Sequence, residues 1–398
     1  MRYTLLKTAS AAVLAAAYVE RRYFRRNTDR SIYCPPTDAD PRKPLAQHIQ
    51  AIVERTPSLR FPNYTPPFWI FNSWINLIVF IVKQRFSTYN DRRQQILHRE
   101  YVATDENNTA TLSIDYLNDK TTQLLPSDAP LLLILPTITG SGPSHTYVMK
   151  MAAQRGWRTA CLNRRGLADS LTTPRFNVMG DQDDTVIQVN CIKQKYQESK
   201  YTGMMGLSAG SGLLVTYLGS TGKNCGVDAA TCLCPAYDIN QAFKTFRDAY
   251  PYVDQFLLKD VQKKFILQNE TLLRSFNNDA VNDCCKASSV DGILRAQIPF
   301  TGSCNEKEFF IRSNPMEYVF GIRCPVMIVN SEDDMVCLPE NIREDIAQEN
   351  GGVLLVRTEE GSHIAYSEGM FGSGNYLIRI SLDFLESAMA VGATVEDF

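Results

Sequence analysis

A serine between two glycines offers a candidate nucleophile, in the segment Gly206-Leu207-Ser208-Ala209-Gly210. This G-x-S-x-G pattern is typical of a sharp turn from strand to helix that lifts a serine hydroxyl above a sheet edge. Glycine and serine are common, so the pentapeptide alone predicts little. The run before it reads as a strand and the run after it as a helix, which supports the interpretation of Ser208 as a nucleophile.

A serine hydroxyl becomes a good nucleophile when a neighbouring base takes its proton. The chain has four histidines, and three of them, His48, His98 and His145, come early in the sequence. His363 instead lies in the loop "EEGSHIAYSEG", directly after an apolar run near the end of the chain. We therefore predict that His363 is the base, and that His145 lies on the surface or at the site entrance.

An acid should hold the histidine in the correct tautomer and stabilise its charged form. Asp333 and Asp334 follow the apolar run "CPVMIVNSE", which predicts the strand before the one leading to His363. The order serine, aspartate, histidine then matches that of an α/β hydrolase. Adjacent side chains diverge along the backbone, so one aspartate should face the histidine. Sequence order leaves open which one.

Two backbone N–H groups are expected to bind the oxyanion that forms during acyl transfer. One comes from Ala209, at the start of the helix after the serine. The second should come from the loop "LPTITGSG", residues 135–142, with Ile138 as the candidate donor and Thr137 as the alternative. No metal and no organic cofactor is needed for this chemistry.

The elements that must position these residues begin near residue 96, where predicted strands and helices start to alternate. This alternation of strands and helices predicts an α/β fold with a mostly parallel central sheet and helices on both faces. Residues 236–320 interrupt it with charged helical segments and no clear strand. We expect a hydrolase domain over residues 96–398, with residues 236–320 as a helical cap over the site.

The residues before 96 carry two apolar segments. Residues 1–30 contain the short run "TASAAVLAAAYV" followed by "ERRYFRR", which fits a signal-anchor, a cleaved signal peptide or an organelle-targeting presequence. The trailing arginines favour an anchor with its C-terminal side in the cytosol. Residues 31–95 form an extension whose segment 66–86 is either a packing helix or a helix lying in a membrane interface.

Composition excludes several classes of protein. The formal net charge is −2, so no overall electrostatic attraction to nucleic acid is expected. The eleven cysteines are scattered and form no C-x-x-C pair, so a structural zinc site is not expected. Scattered thiols favour a compartment that keeps them reduced, although three N-x-T sequons point weakly the other way.

Seven short motifs together resemble those of the membrane-associated branch of the α/β-hydrolase-domain (ABHD) proteins. They are L-P-x-x-T-G at 135–140, N-R-R-G at 163–166, T-P-R-F at 173–176, G-D-x-x-D at 180–184, G-L-S-A-G at 206–210, N-x-x-D-D at 330–334 and G-x-H-I at 361–364. That branch includes lipid esterases, medium-chain phospholipases and ethyl-ester synthases of yeasts. The resemblance covers roughly residues 60–390 and implies the α/β-hydrolase fold.

Carried over by position, the resemblance implies Ser208 as nucleophile, His363 as base and Asp334 as the orienting acid, with Asp333 as the alternative. Thr137 departs from the family pattern, which commonly has glycine there. Met335 and Ser362 also depart from it, where proline and glycine are common. Asn163, Arg164 and Arg165 resemble structural members of the family. The resemblance also supports an N-terminal membrane anchor.

The sequence thus predicts a serine hydrolase that cleaves carboxylic esters, with an acyl lipid such as a phospholipid, acylglycerol or medium-chain ester as substrate. The same residues could transfer the acyl group to an alcohol, which would make the protein an acyltransferase. A non-catalytic lipid-binding module is the alternative from another class. The expected location is an endomembrane such as the endoplasmic reticulum, with the mitochondrion as the alternative.

Overall fold

The computed structural model describes residues 30–34, 43–60, 64–104 and 111–392. Residues 1–29, which make up nearly all of the predicted anchor or targeting segment, lie outside the described residues. The sequons at Asn63 and Asn108 also lie outside them.

A nine-stranded sheet forms the centre of the protein, in the order β1-β9-β8-β7-β6-β4-β5-β3-β2. The strands are β1 Arg30–Tyr33, β2 Leu97–Ala103, β3 Thr111–Leu117, β4 Leu131–Leu135, β5 Arg158–Leu162, β6 Thr202–Leu207, β7 Ala229–Leu233, β8 Val326–Ser331 and β9 Val353–Thr358. Strands β4 to β9 pair in parallel, whereas β1, β2 and β3 are antiparallel to their neighbours. The prediction of a mostly parallel sheet is confirmed.

Helices cover both faces of this sheet or join the cap. They are α1 Lys43–Arg55, α2 Pro57–Arg60, α3 Ser73–Gln94, α4 Gly142–Ala153, α5 Gln182–Lys195, α6 Ala209–Thr221, α7 Ile239–Ala249, α8 Pro251–Val261, α9 Glu270–Phe276, α10 Asn278–Lys286, α11 Val290–Ala296, α12 Ile298–Thr301, α13 Glu306–Ser313, α14 Asp345–Glu349 and α15 Tyr376–Val391. A π-helical turn, Gln262–Ile266, follows α8, and a small hairpin pairs β10 Ser367–Glu368 with β11 Gly374–Asn375.

Strand β4 shows why both faces must be covered. All five of its residues are buried, and alternate side chains point to opposite faces of the sheet. Leu132 and Ile134 join the core under α1, α4 and α15, while Leu131, Leu133 and Leu135 join the core under α5, α6 and α14. A strand buried on both sides therefore reads as a continuous apolar run, as it does here.

The cap consists of helices α7 to α13, which follow β7 and come before β8. Phe265 and Phe300 of this region stack on Phe176, which lies between β5 and α5, with ring centroids 5.5–5.6 Å apart. Ile138 and Ala209 belong to the same apolar cluster. The cap therefore packs directly onto the loop after β4 and the start of α6, which contain the predicted oxyanion donors.

The segments before residue 96 also join the main body of the protein. Strand β1 pairs antiparallel with β9, from Arg30 opposite Thr358 to Tyr33 opposite Leu355. Ile49 and Ile52 of α1 are fully buried in the core under one face of the sheet. The division at residue 96 stays a prediction of domain organisation, and β1 itself was too short for the apolar pattern to indicate it.

Helix α3 covers a different range from the predicted apolar segment 66–86. It begins after Asn72, whose side-chain oxygen accepts a hydrogen bond from the Ile75 N–H at 2.9 Å. This is an N-cap, which satisfies one free donor of the first turn. It ends at Gln94, after which Gln95 adopts the left-handed conformation. The prolines at 66 and 67 lie outside the helix.

Candidate active site

Ser208 occupies the tight turn between β6 and α6. Its φ of 54° and ψ of −119° lie outside the regions that L-residues favour, as a nucleophile elbow requires. A Cβ on Gly206 would come 2.5 Å from the Gly210 carbonyl oxygen, and a Cβ on Gly210 would overlap the Leu135 carbonyl. Glycine is therefore needed at both positions for the turn to close.

A second serine, Ser211, stabilises this turn, and no sequence motif marks it. The buried Ser211 hydroxyl lies 2.7 Å from the Gly206 carbonyl and accepts a hydrogen bond from the Leu233 N–H at 2.8 Å. The Ser208 N–H donates to the Leu233 carbonyl at 2.8 Å. These contacts fix the elbow to the adjacent strand β7.

The structure brings Ser208, His363 and Asp334 into one hydrogen-bonded row. The Ser208 Oγ lies 2.8 Å from His363 Nε2, and His363 Nδ1 lies 2.9 Å from Asp334 Oδ2. The three residues are 9, 7 and 2% exposed, respectively. A proton on Nδ1 shared with the carboxylate leaves Nε2 free to accept the serine proton, which is the arrangement a nucleophilic serine needs.

The backbone holds the Asp334 carboxylate as an acceptor. Its Oδ1 receives hydrogen bonds from the Val336 N–H at 2.7 Å and the Cys337 N–H at 2.9 Å. These two donors fix the orientation of the carboxylate, which can then stabilise a positive charge on the adjacent imidazole.

Asp333 faces away from the imidazole. Its Oδ1 accepts a hydrogen bond from the Ser362 N–H at 2.7 Å, which ties the end of β8 to the loop that carries His363. Burial raises the pKa of the Asp333 carboxyl to about 6. The two adjacent aspartates therefore lie in different environments, one on the imidazole and one on the backbone beside it.

The loop after β4 packs beside the elbow, with Ile138 and Ala209 both buried. Arg164 Nη1 donates to the carbonyls of Pro136 at 2.9 Å and Thr137 at 2.7 Å. These bonds direct the carbonyl oxygens toward Arg164, on the β5 side of the loop. They fix the orientation of the peptide plane that contains the Ile138 N–H.

Arg164 itself is 5% exposed, and its Nε and Nη2 atoms have no hydrogen-bond partner among the described residues. Burial lowers the pKa of its guanidinium to about 10, so the group is still charged at neutral pH. A buried charge with unused donors is costly, and such a cost is typical of functional positions.

His145 is fully buried, so the expectation of a surface or entrance histidine is wrong. Its Nδ1 lies 3.1 Å from the Ser141 carbonyl, and its Nε2 lies 3.5 Å from the Thr137 nitrogen, a weak contact. Burial lowers the pKa of His145 to about 4, so its ring is neutral at neutral pH. The side chain packs against the oxyanion loop through these two contacts. The position of one histidine in a sequence does not reveal such a packing role.

A third group, the Cys234 thiol, lies with Asp334 and His363 in a cluster whose ligand atoms are within 4.8 Å of one another. Burial raises the pKa of this thiol well above its ordinary value, so it is protonated at neutral pH. Metal ions bind the thiolate and unprotonated imidazole nitrogens, and here the imidazole nitrogen already faces the carboxylate. The cluster therefore favours proton transfer over metal binding.

The chain is similar in sequence to a known protein family and to several characterised proteins. A family model described as alpha/beta hydrolase fold matches residues 130–370. The chain is 26% identical to the embryogenesis-associated protein EMB8 of Picea glauca, over 62% of this chain and 55% of that protein. It therefore spans about half the length of that relative.

Two further relatives match over most of their length. The chain is 24% identical to human phospholipase ABHD3, over 71% of this chain and 70% of that protein. It is 26% identical to mouse monoacylglycerol lipase ABHD2, over 68% of this chain and 67% of that protein. Among solved structures, the esterase Pf2001 of Pyrococcus furiosus is 14% identical with a TM-score of 0.48, covering 74% of this chain and 94% of that one.

Proposed function

The chain belongs to the alpha/beta hydrolase fold family, as an ABHD-type serine ester hydrolase, and on that premise we propose that it cleaves acyl lipids with Ser208, His363 and Asp334. The observation that carries the proposal is the 2.8 Å contact between Ser208 Oγ and His363 Nε2, with Asp334 on the other ring nitrogen.

In the proposed mechanism, Ser208 Oγ attacks the acyl carbonyl while its proton passes to His363 Nε2. The Ala209 and Ile138 N–H groups hold the oxyanion of the tetrahedral intermediate. The imidazolium then gives its proton to the leaving alcohol oxygen, which departs and leaves an acyl-serine ester. Water attacks this ester with His363 again as base, and the fatty acid is released. Asp334 stabilises the imidazolium in both halves.

Arg164 acts in this scheme as a positioning residue. It touches no reacting atom but binds the Pro136 and Thr137 carbonyls, and the Thr137 carbonyl shares a peptide plane with the Ile138 N–H. Asn163 is also structural, since its side chain accepts from the Gly142 N–H at 2.9 Å and donates to Asp115 at 2.9 Å. Arg165 pairs with Asp184.

Replacement of Arg164 by lysine should lower kcat and leave KM nearly unchanged. The lysine keeps the positive charge, but its shorter side chain cannot place a nitrogen where Arg164 Nη1 binds both carbonyls, so the oxyanion loop can rotate. Loss of one oxyanion donor costs roughly 100- to 1,000-fold in kcat, and a misdirected donor should approach that loss. Steady-state kinetics on a soluble ester measures both constants. A rise in KM at constant kcat would instead assign Arg164 to substrate binding.

We propose acyl lipids as the substrate class because of the names of two relatives and the exposed apolar side chains of α3, described below. The names of two relatives state a phospholipase and a monoacylglycerol lipase. The test is activity profiling against a panel of phospholipids, acylglycerols and medium-chain esters. Release of fatty acid from none of them, by folded protein, would contradict the proposal. Adding an alcohol and measuring the new ester would separate transfer from hydrolysis.

Helix α3 supports a membrane surface as partner, because its polarity is inverted. Its buried side is polar: Asn76 contacts the Tyr64 hydroxyl and the Ser367 N–H, and Asp91 binds Thr146 and Lys150. Its exposed side carries a row of apolar and aromatic side chains beside four exposed basic residues. The row consists of side chains 44–68% exposed at helical spacing, namely Trp74, Ile78, Val82, Phe86 and Tyr89. We call these five residues the apolar stripe.

A packing helix would bury its apolar side, so α3 fits an interfacial helix better. Exposed Phe371 extends the stripe, since Lys83 of α3 hydrogen-bonds to the carbonyl of Phe371. Among the helices that the structure describes, none has both the length and the hydropathy of a membrane span. The membrane association and endomembrane location remain predictions.

The apolar stripe gives a direct prediction for vesicle binding. The triple substitution Ile78→Ser, Val82→Ser and Phe86→Ser should weaken binding to phospholipid vesicles by about tenfold or more, because three side chains no longer enter the acyl boundary. Co-sedimentation of the full-length protein with vesicles measures this. Leu124→Ser is the control, since Leu124 is 85% exposed and lies outside α3, in the short turn 122–124 between β3 and β4. Equal binding of the triple variant and the wild type would exclude α3 as a docking element.

A further inference from the structure

A pocket of about 430 Å³ lies between α3, the oxyanion loop and the cap. Helix α3 lines it with one face, at positions 81, 84, 85, 88, 89 and 92, each of which has a neighbour three or four residues away in the set. Thr137, Thr139 and Gly140 of the oxyanion loop form another wall. The pocket is separate from the hydrogen-bonded row of Ser208, His363 and Asp334 but borders the loop that carries Ile138.

Charge in this pocket is unbalanced. Asp260 is the single acidic residue on its described lining, and Lys264 pairs with it, with Nζ 2.9 Å from Oδ2 and 3.0 Å from the Thr139 carbonyl. Arg85 and Arg92 also line the pocket, and neither forms an ion pair with another described residue. Two guanidinium groups are therefore left to face a ligand, and guanidinium groups suit phosphate oxygens.

The rest of the lining is apolar or amphipathic. Ile81 and Tyr89 of α3 face Phe256 of α8 across the pocket. Tyr89 and Phe256 are both 60% exposed, so this wall is continuous with the apolar stripe. A ligand that fills the pocket would thus place an anionic group on the arginines and a less polar part on the rings.

The position of the pocket connects it to the reaction. Thr137 and Thr139 flank Ile138, whose N–H is the proposed oxyanion donor, and both line the pocket. The pocket and the proposed oxyanion donor therefore share one loop. In a glycerophospholipid, a short glycerol linker joins the phosphate to the ester groups, so one molecule carries both an anionic group and an ester carbonyl.

We propose that Arg85 and Arg92 bind the phosphate of a phospholipid substrate, so that this pocket is a headgroup subsite that selects phosphate-bearing acyl lipids. This rests on the proposed function, because the subsite matters for turnover only if Ser208 cleaves the ester. The neutral acylglycerol lacks the anionic group and gains nothing from the two arginines.

The test compares two monomeric substrates with the same acyl chains, dihexanoyl phosphatidylglycerol and dihexanoylglycerol, below their critical micelle concentrations so that no membrane takes part. The double variant Arg85→Gln/Arg92→Gln should lose about tenfold or more in kcat/KM on the phospholipid, since hydrogen bonds to charged groups are lost. Its kcat/KM on the neutral diester should stay close to the wild-type value. Arg85→Lys/Arg92→Lys should recover part of the loss.

The matched control removes two other positive charges, in Lys120→Gln/Lys223→Gln. Both lysines are exposed, and neither lines the pocket. This variant should keep both activities. An equal loss on both substrates in the arginine variant, no loss on either, or a wild type that cleaves the neutral diester alone would each overturn the headgroup subsite. A wild type that cleaves neither ester would instead overturn the proposed function.

Discussion

Ser208→Ala protein should retain its fold and lose on the order of 10⁴- to 10⁶-fold in kcat, because no other group can form the acyl-enzyme. It should also fail to react with a fluorophosphonate probe, which labels activated serines covalently. Labelling and turnover of a soluble ester are the two measurements. Ser208 is small and its hydroxyl contacts His363, so alanine leaves the elbow glycines and the adjacent helix unchanged.

Ser211→Ala is the informative companion to this variant. Ser211 is a buried serine three residues away, and its hydroxyl bonds the Gly206 carbonyl and the Leu233 N–H. Its loss should lower stability by about 1–3 kcal/mol, the cost of unpaired buried groups, while labelling persists. Equal labelling of wild-type and Ser208→Ala protein would move the nucleophile to another residue.

Asp334→Asn should lower kcat by about 10⁴-fold. The amide cannot stabilise the imidazolium, and its NH₂ group favours the wrong tautomer of His363. The backbone N–H donors of Val336 and Cys337 would hold the amide oxygen and turn that NH₂ group toward His363 Nδ1. Single-turnover kinetics on an activated ester measures the effect.

Asp333→Asn is the matched control, and it should keep most of the activity because an amide oxygen can still accept from the Ser362 N–H. Its effect should appear in stability. The folded-state pKa of Asp333, about 6, lies above the ordinary value, so the folded protein binds more protons than the unfolded chain between about pH 4 and 6. The free energy of unfolding therefore falls as pH rises through this window.

The asparagine variant should lose that contribution, which is about 1–3 kcal/mol for a shift of this size. Its free energy of unfolding should thus depend less on pH between 4 and 6, and it should be at least as stable as the wild type at pH 7. Urea titrations at pH 4.5 and 7 measure this. If Asp333→Asn lost the activity and Asp334→Asn kept it, the orienting role would belong to Asp333.

The sequence was sufficient to predict the sheet and the approach of three distant side chains. The reason is physical: parallel strands buried on both faces read as apolar runs, and their carboxyl ends all reach one edge of the sheet. Ser208, Asp334 and His363 each follow such a run, so topology alone brings them near one another. Which of the two aspartates contacts the imidazole depends on the turn after β8, which apolar patterns do not encode.

The pattern of apolar and polar residues along the sequence could not reveal features that depend on packing between distant segments. Arg164 comes directly after β5, yet its role depends on two carbonyls about 27 residues earlier in the chain. The inverted polarity of α3 can be recognised only when it is known which side of the helix packs against the protein. The sequence does not show this, because polar and apolar residues recur in α3 at similar spacing. A short edge strand such as β1 has too few residues for a period to appear.

The wide separation of the site's members along the chain also has a consequence during synthesis. Ser208 and His363 are 155 residues apart, and the loop carrying His363 follows β9, the last strand of the main sheet and the partner of β1, the first. A growing chain exposes the serine long before its base exists. On the proposed mechanism the nascent chain cannot cleave an ester until β9 and the loop carrying His363 have been synthesised and have joined the sheet beside Ser208.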